Sequence, residues 1–226
     1  IREVAPVNPS TVVTLVGGSM IMTSDWDDAV PAIMYGWYAG MEGGSALARL
    51  LFGEVSPSGK LPFAVPRSEA DLPHFSRTDL DVRYDRYHGY TLLERNGVPP
   101  AYPFGYGLSY TSFLLDDLRV DADGDALRVS LTVTNTGDRR GGEVVQVYVG
   151  MPDSLVDRPA RLLKGFHKVY LDPGSSESVT IRVPKDELAY YSEETLQWVF
   201  EPGVYRVRVG TSSSDDQLTG RDVRLE

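Results

Sequence analysis

Cysteine is absent from the 226 residues. That removes any disulfide framework and any thiolate nucleophile or metal ligand, without fixing the compartment. Positive charge is short as well. Twenty-two Lys and Arg stand against 32 Asp and Glu, for a formal net charge of −10. Nucleic acid and anionic membrane surfaces both need basic patches, so neither is expected as a partner. Histidine occurs only three times, at His74, His88 and His167. They are too scattered to suggest a zinc site, and no metal or cofactor is expected. No apolar run approaches the length of a membrane span, and neither an internal repeat nor a low-complexity segment is evident. No signal peptide is visible, and the first residue is Ile1 rather than Met. The expectation is that the true amino terminus lies on a further piece of polypeptide.

What is present suffices for a core, since 42% of the residues are hydrophobic. Residues 37–66 organise the first half. Before them, Ala32, Ile33, Met34 and Tyr35 form an apolar run closed off by Pro31, as in a buried strand. Gly40, Gly43 and Gly44 predict a tight turn. Ala46, Leu47, Leu50 and Leu51 recur at helical spacing over 45–52, and Gly53 sits where a helix end favours a left-handed residue. A turn through Pro57, Ser58 and Gly59 leads to a short strand predicted over 61–65. Upstream, 1–7 reads as a helix tail stopped by Pro6 and Pro9, and 11–16 as a β-branched strand covered on both faces. Strands alternating with a helix predict α/β layering with parallel pairing. The units are too few for a complete doubly wound domain, so residues 1–111 are expected to be part of one. Residues 67–101 read as an extended surface segment pinned by Tyr84, Tyr87, Tyr90 and Tyr102. Residues 102–110 read as a hinge, in which Gly105 and Gly107 permit close passage and Phe104, Tyr106 and Tyr110 bury.

From Phe113 the period changes to two. Leu127, Val129, Leu131 and Val133 alternate with polar residues, as do Val145, Val147 and Val149, and then Val179, Ile181 and Val183. Val204, Val207 and Val209 follow less regularly. Turn clusters at 135–138, 172–175 and 201–203 separate them, and 212–216 reads as a polar loop. Residues 112–226 are therefore expected to form an all-β sandwich of immunoglobulin or fibronectin III type.

Four runs carry a resemblance to the carboxy-terminal half of glycoside hydrolase family 3. The first joins Gly-Met-Glu-Gly-Gly (40–44), Leu-Phe-Gly-Glu (51–54) and Pro-Ser-Gly-Lys-Leu-Pro (57–62). The second is Tyr-Pro-Phe-Gly-Tyr-Gly-Leu-Ser-Tyr-Thr (102–111). The third is Arg-Pro-Ala-Arg-Leu-Leu-Lys-Gly-Phe (158–166). The fourth pairs Glu-Pro-Gly-Val-Tyr (201–205) with Val-Gly-Thr-Ser-Ser (209–213). The resemblance implies the end of an α/β sandwich domain followed by a fibronectin type III-like domain. It also implies retaining hydrolysis of terminal β-D-glucosides, with a (β/α)8 barrel upstream on the same or a separate chain. A homo-oligomer is compatible with it. The rival reading is a non-enzymatic carbohydrate-binding or adhesive module.

Ser24-Asp25-Trp26 matches the family's nucleophile motif. That motif ends a barrel strand in the family, whereas here it follows an α/β-sandwich strand, so a structural role for Asp25 is expected. The family's acid/base glutamate precedes the strand matching 11–16, in a stretch outside these residues. Glu42 is the best remaining carboxylate, expected to cap or orient the following helix rather than catalyse. The glycine run at 40–44 lacks the Lys and Ser or Thr of a phosphate loop, and no nucleophile elbow is present. The tyrosines of 84–110 suit sugar stacking or packing, and packing is preferred. No residue is assigned as catalytic or substrate-binding, and the isolated chain is expected to be inactive.

Overall fold

The computed structural model describes residues 1–226, apart from the side chain of Asp215. The chain divides into two compact units, residues 1–55 with 62–104, and residues 56–61 with 105–226.

In the first unit, β1 (Val12–Leu15) and β2 (Ala32–Tyr35) pair in parallel, with Val12 opposite Ala32 and Leu15 opposite Tyr35. Helix α1 (Gly43–Leu51) follows. It begins two residues before the predicted start, so Gly43 and Gly44 are helical and only Gly40, at φ 69°, takes the left-handed turn conformation. Its end is as expected. The Gly53 N–H donates to the Leu50 carbonyl at 3.0 Å and the Glu54 N–H to that of Arg49 at 2.9 Å, with Gly53 left-handed at φ 74°. This double closure satisfies carbonyls that the helix leaves unpaired.

Three expectations for this unit need correction. Residues 1–7 form successive turns rather than a helix tail, because Pro6 supplies no N–H to extend the ladder. The strand predicted over 61–65 does not form. Pro62 removes a donor, and within this unit only a single antiparallel bridge remains, Val65 to Tyr102. Residues 67–101 are not wholly extended, since α2 (Gly89–Arg95) lies among them. The Thr91 hydroxyl anchors its start to the His88 carbonyl at 2.8 Å. Left-handed Gly97 closes its end, with Gly97 donating to Glu94 and Val98 to Leu93.

The second unit is a sandwich of two antiparallel sheets. One holds β3 (Phe113–Asp123), β4 (Ala126–Asn135) and β7 (Ser176–Pro184) in that order. The other runs β11 (Thr219–Leu225), β10 (Gly203–Gly210), β5 (Gly141–Gly150), β6 (Leu162–Leu171). A small hairpin, β8 (Tyr190–Ser192) with β9 (Gln197–Val199), stands apart from both. The predicted alternation holds on β4 and β7, whose Leu127, Val129, Leu131, Val133, Val179, Ile181 and Val183 all enter the core. On β10 the inward set is Tyr205, Val207 and Val209 rather than Val204. The polar loop at 212–216 buries Ser212 and Ser213 and ends in a 3-10 turn, Asp215–Gln217.

Strand β5 departs from simple alternation. Gln146 and Tyr148 are as buried as the valines between them. The Gln146 amide donates to the Gly105 carbonyl at 3.0 Å and the Thr211 carbonyl at 2.6 Å, while its oxygen accepts from the Tyr148 hydroxyl at 2.6 Å. A Cβ on Gly105 would sit 2.0 Å from the Gln146 side-chain oxygen, so only glycine fits there. Nearby, Lys60 pairs with Glu143 at 2.7 Å, the two side chains 12% and 10% exposed, and also donates to the Gly107 carbonyl at 2.8 Å. Gly107 passes so close to the Gly59 carbonyl that a Cβ would lie 2.1 Å from it.

Two further polar clusters complete the frame. Buried Asn135 donates to the carbonyls of Arg139 and Leu171 and accepts from the Thr111 hydroxyl and the Gly137 N–H, which fills its capacity. Buried Glu201 accepts from Arg158 at 3.2 Å, the Ser154 hydroxyl at 2.7 Å and the Leu155 N–H at 2.6 Å. The Tyr205 hydroxyl donates to the Glu201 carbonyl at 2.6 Å, and burial raises its pKa. This is the tyrosine corner of immunoglobulin-like sandwiches.

Tyr205→Phe removes that donor and strands a buried carbonyl. It is expected to lower unfolding stability by about 1–3 kcal/mol in urea titrations, with an unchanged m-value. We propose that residues 112–226 form the autonomous domain. Expressed alone they should melt cooperatively, but below the whole chain, because Glu143 then lacks Lys60. A segment with collapsed NMR dispersion would move the boundary.

Candidate functional site

In open parallel sheets, ligands sit beyond the carboxyl ends of the strands. In the first unit that edge is built by residues 17–19 after β1 and 36–44 after β2. The Tyr35 hydroxyl donates to the Ser19 carbonyl and ties the two loops together. Burial, with a smaller contribution from Tyr38, raises the pKa of Tyr35. Trp37 is left-handed at φ 52°, a costly backbone for a bulky residue. It is held by ring contacts to Tyr35 at 4.5 Å and Phe63 at 5.6 Å, and Phe63 also meets Tyr35 at 5.8 Å. Tyr38 beside them is largely exposed, and Met41 fully so. Sequence reasoning passed over this aromatic wall. Its signal was a pair of aromatics set between Gly36 and Gly40 directly after an apolar strand.

The wall is built of aromatic rings, and no carboxylate or imidazole belongs to it. Asp25 lies on the turn closed by the Trp26 and Asp27 N–H groups donating to the Thr23 carbonyl. Its side chain is 88% exposed and lies 3.7 Å from Arg2, which also binds the Asp25 backbone carbonyl. Glu42 occupies the position before α1, yet its side chain makes no capping hydrogen bond, contrary to expectation. Gly43 explains part of the glycine run, since a Cβ there would come 2.7 Å from that of Ala39, whereas Gly44 faces open space. Among the described residues the buried acids are Glu143 and Glu201, each engaged by a cation.

The tyrosines divide. Tyr87 is buried under the Arg95 guanidinium at 4.0 Å, and Tyr90 stacks on Phe104 at 4.9 Å. Tyr84 and Tyr110 remain exposed, and Tyr102 carries the bridge to Val65. His74 lies near Asp79, His88 precedes α2, and His167 lies near Glu177. Among the described residues, no three His, Asp or Glu side chains group so as to hold a metal.

A parallel α/β unit whose family motifs sit at strand and helix ends, joined to a three-on-four β-sandwich, defines the carboxy-terminal architecture of a glycoside hydrolase class. The family model described as "Glycosyl hydrolase family 3 C-terminal domain" matches residues 1–110, and that described as "Fibronectin type III-like domain" matches 143–213. The chain belongs to glycosyl hydrolase family 3, over the carboxy-terminal region of that family. It is 40% identical to a β-glucosidase of Kluyveromyces marxianus over all of this chain and 27% of that protein. It is 39% identical to an exo-α-(1→6)-L-arabinopyranosidase of Bifidobacterium breve over 95% of this chain and 29% of that protein. The solved structure of β-glucosidase 3B from Thermotoga neapolitana in complex with α-D-glucose superposes with a TM-score of 0.90 at 40% identity, covering 99% of this chain and 32% of that one. The chain therefore spans under a third of the length of these relatives.

Asp25→Asn, made in an active family 3 glycosidase that includes this chain, is expected to keep turnover within about tenfold, roughly 1.4 kcal/mol of barrier. A loss of several orders of magnitude would reassign Asp25, as would a 2-fluoroglycoside adduct on it.

Proposed function

We propose that this chain is the carboxy-terminal part of a retaining β-glycosidase that hydrolyses terminal, non-reducing β-D-glucosyl residues. The observation that carries the reading is likeness along the whole of this chain: nearly all of it superposes on about a third of a β-glucosidase at 40% identity. Retaining hydrolysis needs two carboxyl groups about 5 Å apart, one as nucleophile and one as acid/base. The family resemblance puts both on upstream polypeptide, consistent with the exposed setting of Asp25. This chain's part is then to wall the active site with the loops after β1 and β2.

A second observation supports an upstream partner. Neither β1, β2 nor α1 contains a fully buried residue, and Val12, Val16, Leu51 and Phe52 are exposed. Parallel strands are ordinarily covered on both faces, and each uncovered aliphatic side chain forgoes roughly 1.5–3 kcal/mol. A (β/α)8 barrel and the earlier strands of the sandwich would supply that cover.

Glucose as the substrate sugar is the finer part of the proposal. One relative is named for an arabinopyranosidase at almost the same identity as the β-glucosidase. Overall identity over this portion therefore does not favour one sugar over the other. The isolated chain should not cleave an aryl β-D-glucoside, and adding the upstream portion should restore turnover, faster on the glucoside than on an aryl α-L-arabinopyranoside. A native, monomeric particle of about 25 kDa that is stable and folded from residue 1 would instead favour a binding module.

A further inference from the structure

A cleft of about 460 Å³ opens along the side of the sandwich where the two edge strands β3 and β11 face each other. Its floor reaches core residues Leu131 and Val209, and its rim carries Asp116, Asp117, Arg119 and Arg221. That volume lies in the usual range for small-molecule sites. From these features we infer that the cleft is a binding site for a neutral saccharide, of the size of a monosaccharide or disaccharide.

Three observations converge on it. The first is the backbone. Strand β3 slips register between Asp116 and Arg119, and Asp117 within the slip is left-handed at φ 56°. In such a bulge glycine is the cheapest residue, and an aspartate there re-aims a carboxylate at some cost. No glycine is used, and Asp117 is among the residues that line the cleft. The second is the state of the charges. Two aspartates and two arginines line one opening, and no ion pair joins any two of these four described residues. Their one internal bond is the Asp117 N–H donating to the Asp116 carboxylate at 2.8 Å. The third is the balance of the lining. Two negative and two positive groups cancel, so a charged ligand gains little net attraction. A ligand dense in both donors and acceptors gains most. Vicinal hydroxyls donate to carboxylates and accept from guanidinium forks, while the C–H face of a pyranose ring suits the apolar floor. The inference needs no catalysis and stands whether or not the upstream barrel makes the enzyme a β-glucosidase.

The test is an NMR titration of the 226-residue chain with glucose and with cellobiose. Amide shifts should concentrate at residues 115–121, 130–132 and 219–222, with a Kd on the order of 1 mM. Asp117→Gly keeps the left-handed backbone and should melt no lower than the parent, yet bind at least about fivefold more weakly. Arg221→Ala, at an exposed position of the edge strand β11, should do the same. Trp198→Ala, which removes the exposed ring of the β8–β9 hairpin, should leave binding unchanged. No shift at about 50 mM sugar overturns the inference. So do shifts confined to other residues, binding lost only in Trp198→Ala, or a larger response to glucosamine or glucuronate than to glucose.

Discussion

Taking polar side chains out of water on both faces of one strand is the constraint on which the second unit depends. Strand β5 presents Val145, Val147 and Val149 to the core, and on its other face Gln146 and Tyr148, equally inaccessible. An amide buried without partners costs several kcal/mol in an apolar setting. Gln146 has partners only if backbone carbonyls come to it, and they come from residues 41 positions before and 65 after. Gly105 is the position where the chain comes close enough, and glycine is there because nothing larger fits. The same demand recurs at Glu143, answered by Lys60, and at Glu201, answered by Arg158. The motifs that mark the family along the chain are thus largely the partners of these buried groups.

That dependence explains what could be read in advance. The valine and leucine positions of β4 and β7 follow from period two, because the pleat alternates whatever lies across it. The glycine closure of α1 was readable for the same local reason. Helix α2 was not, because its opening Gly-Tyr-Thr run favours helix weakly. Its clearest sign was a terminal Asn96-Gly97 pair, equally at home in a loop. The strand expected at 61–65 failed on one residue: a proline inside an apolar run lacks the N–H a ladder needs. No local pattern announces that Lys60 must meet Glu143 or Thr111 must meet Asn135, since those contacts join distant segments.

The candidate site was legible in part. The triplet at Asp25 looked catalytic as letters, but its place after a sandwich strand argued otherwise; in the structure it occupies an exposed turn. Trp37 was overlooked because a left-handed tryptophan cannot be told from an extended one by sequence. Glu42 was placed correctly at the helix start, but its side chain does not reach the N–H groups it was expected to serve.

One arrangement bears on how such proteins recombine. Residues 56–61 fall between two stretches of the first unit in sequence, yet they belong to the second in space. An exchange of the sandwich between homologues at a single crossover between residues 104 and 143 would carry Glu143 and leave its lysine behind. A chimera needs two parental cuts around six residues, or else a lysine of matching reach already in the recipient. Gene shuffling within the family should therefore tolerate swaps that keep Lys60 and Glu143 from one parent, and reject many that do not.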